Sequence, residues 1–236
     1  MEGQKHSYQP KMNLLNRDNF KIYFLYVIFG FGGLWHLLGM FQNVMRSLAS
    51  PLIILTSLLL VCIVSRSLSR QSKVPFLLWC SLIIFGGWLA EYIGIRTHFP
   101  FGRYIYGEVL RPQILDVPIA IGFAWLAICL SSLTIALRIF GYFQLKRSYS
   151  IYLISVGTAL LMIVFDIVME NAASKLDYWI WSDGTVPIQN YLSWFVLGFG
   201  FSYLWLMLNR SEKPDTKFGL HVYLSQLLYF LLVLFK

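Results

Sequence analysis

Asp166 and Glu170 stand four residues apart in an otherwise apolar stretch. On a helix that spacing puts both carboxyls on one face, one turn apart. Two neighbouring carboxyls in such surroundings are expected to keep a proton between them, because desolvation and a like charge both oppose ionisation. Glu91, His36 and Asn190 also sit inside or at the ends of apolar runs. Ionisable groups at such positions are costly to bury and are functional candidates by default. A carboxylate within a turn of a helix end can also sit hydrated and idle in the headgroup zone, and His36 can cap a carbonyl or pair with Glu91. The shared depth of all five favours a site, since a bundle gains nothing from buried unpaired carboxylates. His221, alone at the far end of the last run, reads as structural.

Known motifs narrow the chemistry. There is no nucleotide or phosphate loop, no CxxC and no HExxH. A magnesium-diphosphate site would need a second acidic motif with basic partners, and only one Asp-x-x-x-Glu occurs. A retinal Schiff base needs a lysine within a helix, and every lysine here lies in a loop or at a helix end. No metal site and no cofactor are expected. The remaining set suits acid chemistry on an apolar alkene. A carboxyl protonates the double bond, tryptophan and tyrosine faces stabilise the cation, and a second polar group delivers water.

The elements that must position these groups are membrane helices. The chain has 236 residues, 58% apolar and 13% charged, with mean hydropathy +0.64. That is outside the range of soluble domains. Seven apolar stretches, at about 20–41, 51–68, 75–94, 117–140, 150–171, 190–209 and 219–235, approach the roughly 20 residues needed to cross a bilayer. The expected fold is all-α, a polytopic transmembrane bundle of about seven spans forming one domain over residues 1–236. The first stretch lacks a small-residue cleavage site after it and reads as a span, not a removable signal. Cys62, Cys80 and Cys129 all fall inside predicted helices, as packing residues.

The net charge of +8 encodes orientation. Arg46, Arg96, Arg103, Arg111, Lys175 and Lys236 fall on one side of the seven spans, and the other thirteen of the nineteen Lys and Arg residues on the opposite side. The positive-inside bias places the N-terminus in the cytoplasm of a multi-pass protein of the cell membrane, with membrane lipids as its surroundings and no nucleic-acid partner.

Both long connections, about 95–116 and 172–189, fall on the outer side, next to Glu91, Glu170 and Asn190. Tyr104-x-Tyr106 and Trp179-x-Trp181 alternate with period two, and Asp183-Gly184 lies between Trp181 and Val186. Asp-Gly between alternating apolar residues is a hairpin signal. Each loop is therefore expected to fold as a short lid with an aromatic face turned onto the bundle. An interfacial aromatic belt without a substrate would have the same composition.

Four segments carry a resemblance: "EYIGIRTHFPFGRYIY" (91–106), "DVPIAIGFAW" (116–125), "FDIVMENAASKLDYWIW" (165–181) and "VPIQNYLSW" (186–194). Together, over about 85–200, they closely resemble the membrane carotenoid hydratase family, of the gamma-carotene and bisanhydrobacterioruberin hydratase type. The chain departs from its pattern at His98, where a small residue is expected, and at Glu170-Asn171, near which many relatives have proline. The resemblance implies addition of water to the terminal double bond of an acyclic or monocyclic carotenoid drawn from the bilayer, giving a tertiary alcohol without a redox cofactor.

Within that reading Asp166 or Glu170 is the proton donor, and Glu91 orients water or accepts its proton, with His36 in support. Tyr104, Tyr106, Trp179 and Trp181 line the cation pocket, with Asn190 and Trp194 at the substrate. Arg96 and Arg103 anchor the lid by pairing with Glu108, Asp116 or Asp177. Gly94 and Gly102 serve tight turns, and His98 belongs to the same lid. A carotenoid cyclase or isomerase would use the same acid and quench the cation without water. A proton-coupled transporter of a lipophilic solute would more usually show a repeated half or polar groups at the midplane.

Overall fold

The computed structural model describes residues 12–141, 146–209, 214 and 217–236. Seven helices dominate it: α1 (Met12–Leu37), α2 (Gln42–Ser67), α3 (Arg70–Thr97), α4 (Ile119–Phe140), α5 (Arg147–Ala173), α6 (Ile188–Leu208) and α7 (Lys217–Leu234). Each contains a segment long and apolar enough to cross a membrane. The protein is an all-α, multi-pass helical bundle. The boundaries differ most at α2, expected to begin at Pro51; it begins at Gln42 and carries Pro51 inside. A proline in a membrane helix is tolerated where serine side chains and local adjustment satisfy the freed backbone groups.

The bundle is built around α4. Of its spanning segment 83% is buried, against 22% for α6 and 28% for α1. It packs on α2, α3, α5 and α7. Close approach comes from small residues, the usual device where lipid supplies no hydrophobic drive between helices. A Cβ on Gly122 would stand 2.5 Å from the Ile84 carbonyl oxygen of α3, and one on Gly198 would stand 2.6 Å from Met162 Sδ. Leu55, Leu78, Phe85, Val164, Leu192 and Val196 point outward and exposed, as a lipid-facing shell requires. Cys80 and Cys129 are buried, Cys62 is exposed, and all three are free. His221 accepts or donates a hydrogen bond at 3.1 Å with Tyr26, tying α7 to α1.

Both long connections lie at the end of the bundle that carries the last residues of α7, where Lys175 Nζ donates to the Leu234 carbonyl at 2.7 Å. They contain four short strands: β1 (Tyr104–Tyr106), β2 (Gln113–Ile114), β3 (Val117–Pro118) and β4 (Trp179–Trp181). The expectation of a hairpin at Asp183-Gly184 is corrected here. β1 and β4 pair with each other, antiparallel, with Tyr104 opposite Trp181, Ile105 opposite Ile180 and Tyr106 opposite Trp179. Backbone bonds from Gly107 to Tyr178 (2.9 Å) and from Ser182 to Arg103 (3.0 Å) extend the ladder. Asp183-Gly184 does form a tight turn, with Gly184 at φ +68 and its N–H on the Trp181 carbonyl at 3.1 Å, but no strand returns from it. Among the described residues β4 pairs with β1 alone. The local hairpin is β2–β3, closed by Leu115 and Asp116, both at positive φ (51 and 67), as the two-residue turn matching strand twist demands.

The period-two reading of the aromatic residues holds across the shared ladder. Ile105 and Ile180 face away from the bundle, 65% and 50% exposed. The four aromatic residues between and beside them turn toward it.

Candidate active site

Glu91 sits nearly two turns before the end of α3 at Thr97, and the helix is shaped to receive its partners. Gly87, one turn earlier on the same face, leaves room for Trp125 of α4; a Cβ there would stand 2.6 Å from the indole. The Trp125 indole lies in that gap and its Nε1–H donates to Glu91 Oε1 at 2.9 Å. Glu91 Oε2 accepts from the Tyr104 hydroxyl and, at 2.9 Å, from the Tyr106 hydroxyl. Burial first, then the facing Glu91 carboxylate, hold both phenols well above their ordinary range, so they remain donors. Gly94 is inside α3, not in a turn, and its expected role changes accordingly. It makes room for Phe101, which a Cβ would approach to 2.9 Å.

The opposite half of the lid serves α5. Glu170 Oε2 accepts from the Trp179 and Trp181 indoles, both at 2.8 Å. Asn190, at the start of α6, donates to Asp166 Oδ2 at 2.7 Å and to Glu170 Oε1 at 3.4 Å. Asp166 is wholly buried, and its Oδ1 has no hydrogen-bonding partner among the described residues. Glu91, Glu170 and Asn190 are also nearly or fully buried.

These groups surround a cavity of about 70 Å³. Its wall includes Glu91, Glu170, Asn190, Tyr104, Tyr106, Trp179, Trp181 and Trp194. By the measure that one water needs about 10–15 Å³, it has room for a few waters or the tip of an apolar ligand. Asp166 is not on the wall; it stands behind Asn190. Neither is His36, which packs edge-on to Tyr229 of α7 with ring centroids 5.8 Å apart.

The lid is fastened partly as expected. Arg96 pairs with Asp116 at 3.1 Å, while Asp177 pairs with Arg46 at 2.6 Å and Glu108 with Arg111, so neither acid pairs with Arg103. Arg103 contributes its backbone carbonyl to the ladder. His98 caps α3 in a left-handed conformation, and its carbonyl accepts from Gln189 at 3.1 Å. Gly102 has φ +123 and abuts Pro187, so a side chain there meets both strain and a clash.

Sequence reasoning passed over Trp125, Phe101, Phe165, Tyr178 and Gln226, all on the cavity wall. Trp125 stacks on Trp194 at 4.1 Å and 22°. It lies in a run apolar on every side, where periodicity singles out nothing. Its tryptophan N–H, a donor that must be satisfied when buried, was the available signal.

Residues 49–235 match the sequence profile of the family described as carotenoid biosynthesis protein. The chain belongs to that family. It is also similar to a bisanhydrobacterioruberin hydratase from Haloarcula japonica, 29% identical over 112 residues. That match takes in 46% of this chain and 37% of the relative, so the chain spans little more than a third of the relative's length. No solved structure matches the chain. Both carboxyl-bearing walls of the cavity fall inside the family match.

Proposed function

We propose that this member of the family is a cofactor-independent carotenoid hydratase of the cell membrane. It adds water across the terminal double bond of an acyclic carotenoid end, leaving a tertiary alcohol. The supporting observation is two buried carboxyls, Glu91 and Glu170, on the wall of one cavity, each solvated by aromatic donors rather than by basic residues.

The two carboxyls suit different roles. Glu91 accepts three hydrogen bonds, which disperse a full negative charge. It serves as the carboxylate that draws a proton from water and faces the developing cation. Glu170 shares its side of the cavity with a second carboxyl, Asp166, through Asn190. It serves as the acid, with Asp166 behind it as a positioning residue. The Glu170 proton goes to the less substituted alkene carbon, and the π pair becomes the new C–H bond. The cation left on the tertiary carbon lies among the Tyr104, Tyr106, Trp179 and Trp181 faces. Water attacks that carbon and gives its proton to Glu91. Return of this proton to Glu170 restores both groups, so alkene and water enter and alcohol leaves. His36, away from the wall, takes no part.

Isotopes test the scheme. Turnover in heavy water should put deuterium on the carbon beside the alcohol carbon, and oxygen-labelled water should label the hydroxyl. Solvent hydrogen without solvent oxygen means a cyclase or isomerase, and label from molecular oxygen means an oxygenase. Orientation is tested separately. With the N-terminus cytoplasmic, a reporter after Lys146 should read as cytoplasmic and one in the 182–187 segment as external. The reverse result would move the cavity to the inner face.

A further inference from the structure

A second cavity, of about 60 Å³, lies beside the first. Its wall comes from α1, α2, α7 and Tyr178 beside β4, with Ile28 and Phe29 from α1 and Met45, Ala49 and Leu52 from α2. Four residues, Ile53, Tyr178, Gln226 and Phe230, line both cavities. Apart from Gln226 and the phenols of Tyr178 and Tyr229, every side chain on the second wall is apolar. It contains no carboxyl.

Resting on the hydratase reading, we propose that this second cavity is the berth of the isoprenoid hydrocarbon chain immediately behind the reacting end group. The first cavity takes an end group and a water, not a polyene. The remainder of a long rigid substrate must leave through a wall. The lid closes the end of the bundle with two loops joined by β1 and β4, and the water beyond it would not solvate a hydrocarbon. The shared wall opens instead toward α1. That helix leans on α7, where Gly32 and Gly33 lie against Tyr229 and Leu232, and touches α2 only lightly. A chain in this cavity therefore emerges toward lipid at the seam between α1 and α2. Gln226 stands at the junction, on the wall of both cavities.

Filling this cavity tests the berth. Ala49→Leu on α2 and Ile28→Trp on α1 should each cut the carotenoid retained per mole of purified protein at least fivefold, and hydration at least tenfold. The smaller Ala49→Val should have a graded, lesser effect, and it decides the matter if the larger variants do not accumulate in the membrane. Leu78→Trp, on the lipid-facing side of α3, should change neither. Retention that is unchanged on filling, or that falls equally with Leu78→Trp, overturns the berth. Glu170→Gln separates the two readings, because it should abolish hydration and leave retention intact. A wild-type protein that retains carotenoid through this cavity without hydrating it sinks the hydratase reading and keeps the berth. Full hydration in Ala49→Leu and Ile28→Trp does the reverse.

Discussion

The two walls of the main cavity use the same parts differently. On the α3 wall a single carboxyl, Glu91, takes three donors from β1 and α4. On the α5 wall Glu170 takes two indoles from β4 and a longer contact from Asn190, with Asp166 one turn below. β1 serves the first wall, β4 serves the second, and their pairing locks the two sets of donors into one register. A lone, well-solvated carboxyl is suited to carrying charge. A carboxyl beside another carboxyl is suited to carrying a proton. On the proposed scheme, chemically different roles follow from neighbours, not from residue type.

Removing each carboxyl is the largest test of that contrast. Glu170→Gln should lower turnover by roughly 10³-fold or more, within the ~10²–10⁴ range for a general acid. Glu91→Gln should cost on the order of 10²-fold, because a water can still attack a cation without a base held in place. Asp166→Asn, behind the wall, should cost about tenfold or less and leave the site of deuterium addition unchanged. Protein levels in the membrane should hold for all three. A larger loss for Glu91→Gln than for Glu170→Gln would exchange the roles of the walls. A loss for Asp166→Asn equal to that of Glu170→Gln would make the pair, not Glu170, the acid.

The contrast between the walls was only half legible in sequence. The seven spans follow from composition, because a bilayer sets the length of apolar run that each helix needs. Asp166, Glu170, Glu91 and Asn190 stood out because charge and amides are rare in such runs. Alternation in Tyr104-x-Tyr106 and Trp179-x-Trp181 correctly gave one aromatic face each. What it could not give was the partner: strand pairing is set by long-range contact, and the Asp183-Gly184 signal pointed to a neighbour that β4 does not use. The true hairpin turns at Leu115-Asp116, and leucine at positive φ carries no turn signature. His36 shows the other limit. Depth along a helix is legible from sequence, but rotation about the helix axis is not, and His36 faces α7 instead of the cavity.

The next effect in size concerns the indoles, which have two jobs on the α5 wall. Trp181→Leu removes both a donor to Glu170 and a face for the cation, and should slow turnover roughly thirtyfold, the equivalent of ~2 kcal/mol. Trp181→Phe keeps the face and loses only the donor, so its loss should be smaller, about fivefold. Because an alkene gains less than its cation from such a face, kcat should fall more than carotenoid retention. Equal losses for Leu and Phe would make the N–H to Glu170 the whole contribution. A fall in retention alone would reduce Trp181 to a contact for the ground state.

The smallest effect concerns what keeps the two walls in register. Arg96 and Asp116 tie the end of α3 to the β2–β3 turn, but their side chains are 49% and 73% exposed. Ion pairs that open to solvent contribute about 0–1 kcal/mol. The β1–β4 ladder, by contrast, is backbone pairing over an aromatic face. Arg96→Gln should therefore change turnover by no more than about twofold, as a loss of under ~1 kcal/mol allows. Asp116→Asn should do the same, since asparagine also tolerates the positive φ at that position. Raising the salt concentration should have as little effect on the wild type, because screening acts on this pair and not on the ladder. A tenfold loss in either variant, with levels unchanged, would show that the surface pair and not the strand pairing holds β1 over Glu91. The α3 wall would then depend on an electrostatic clasp more than on the β1–β4 ladder.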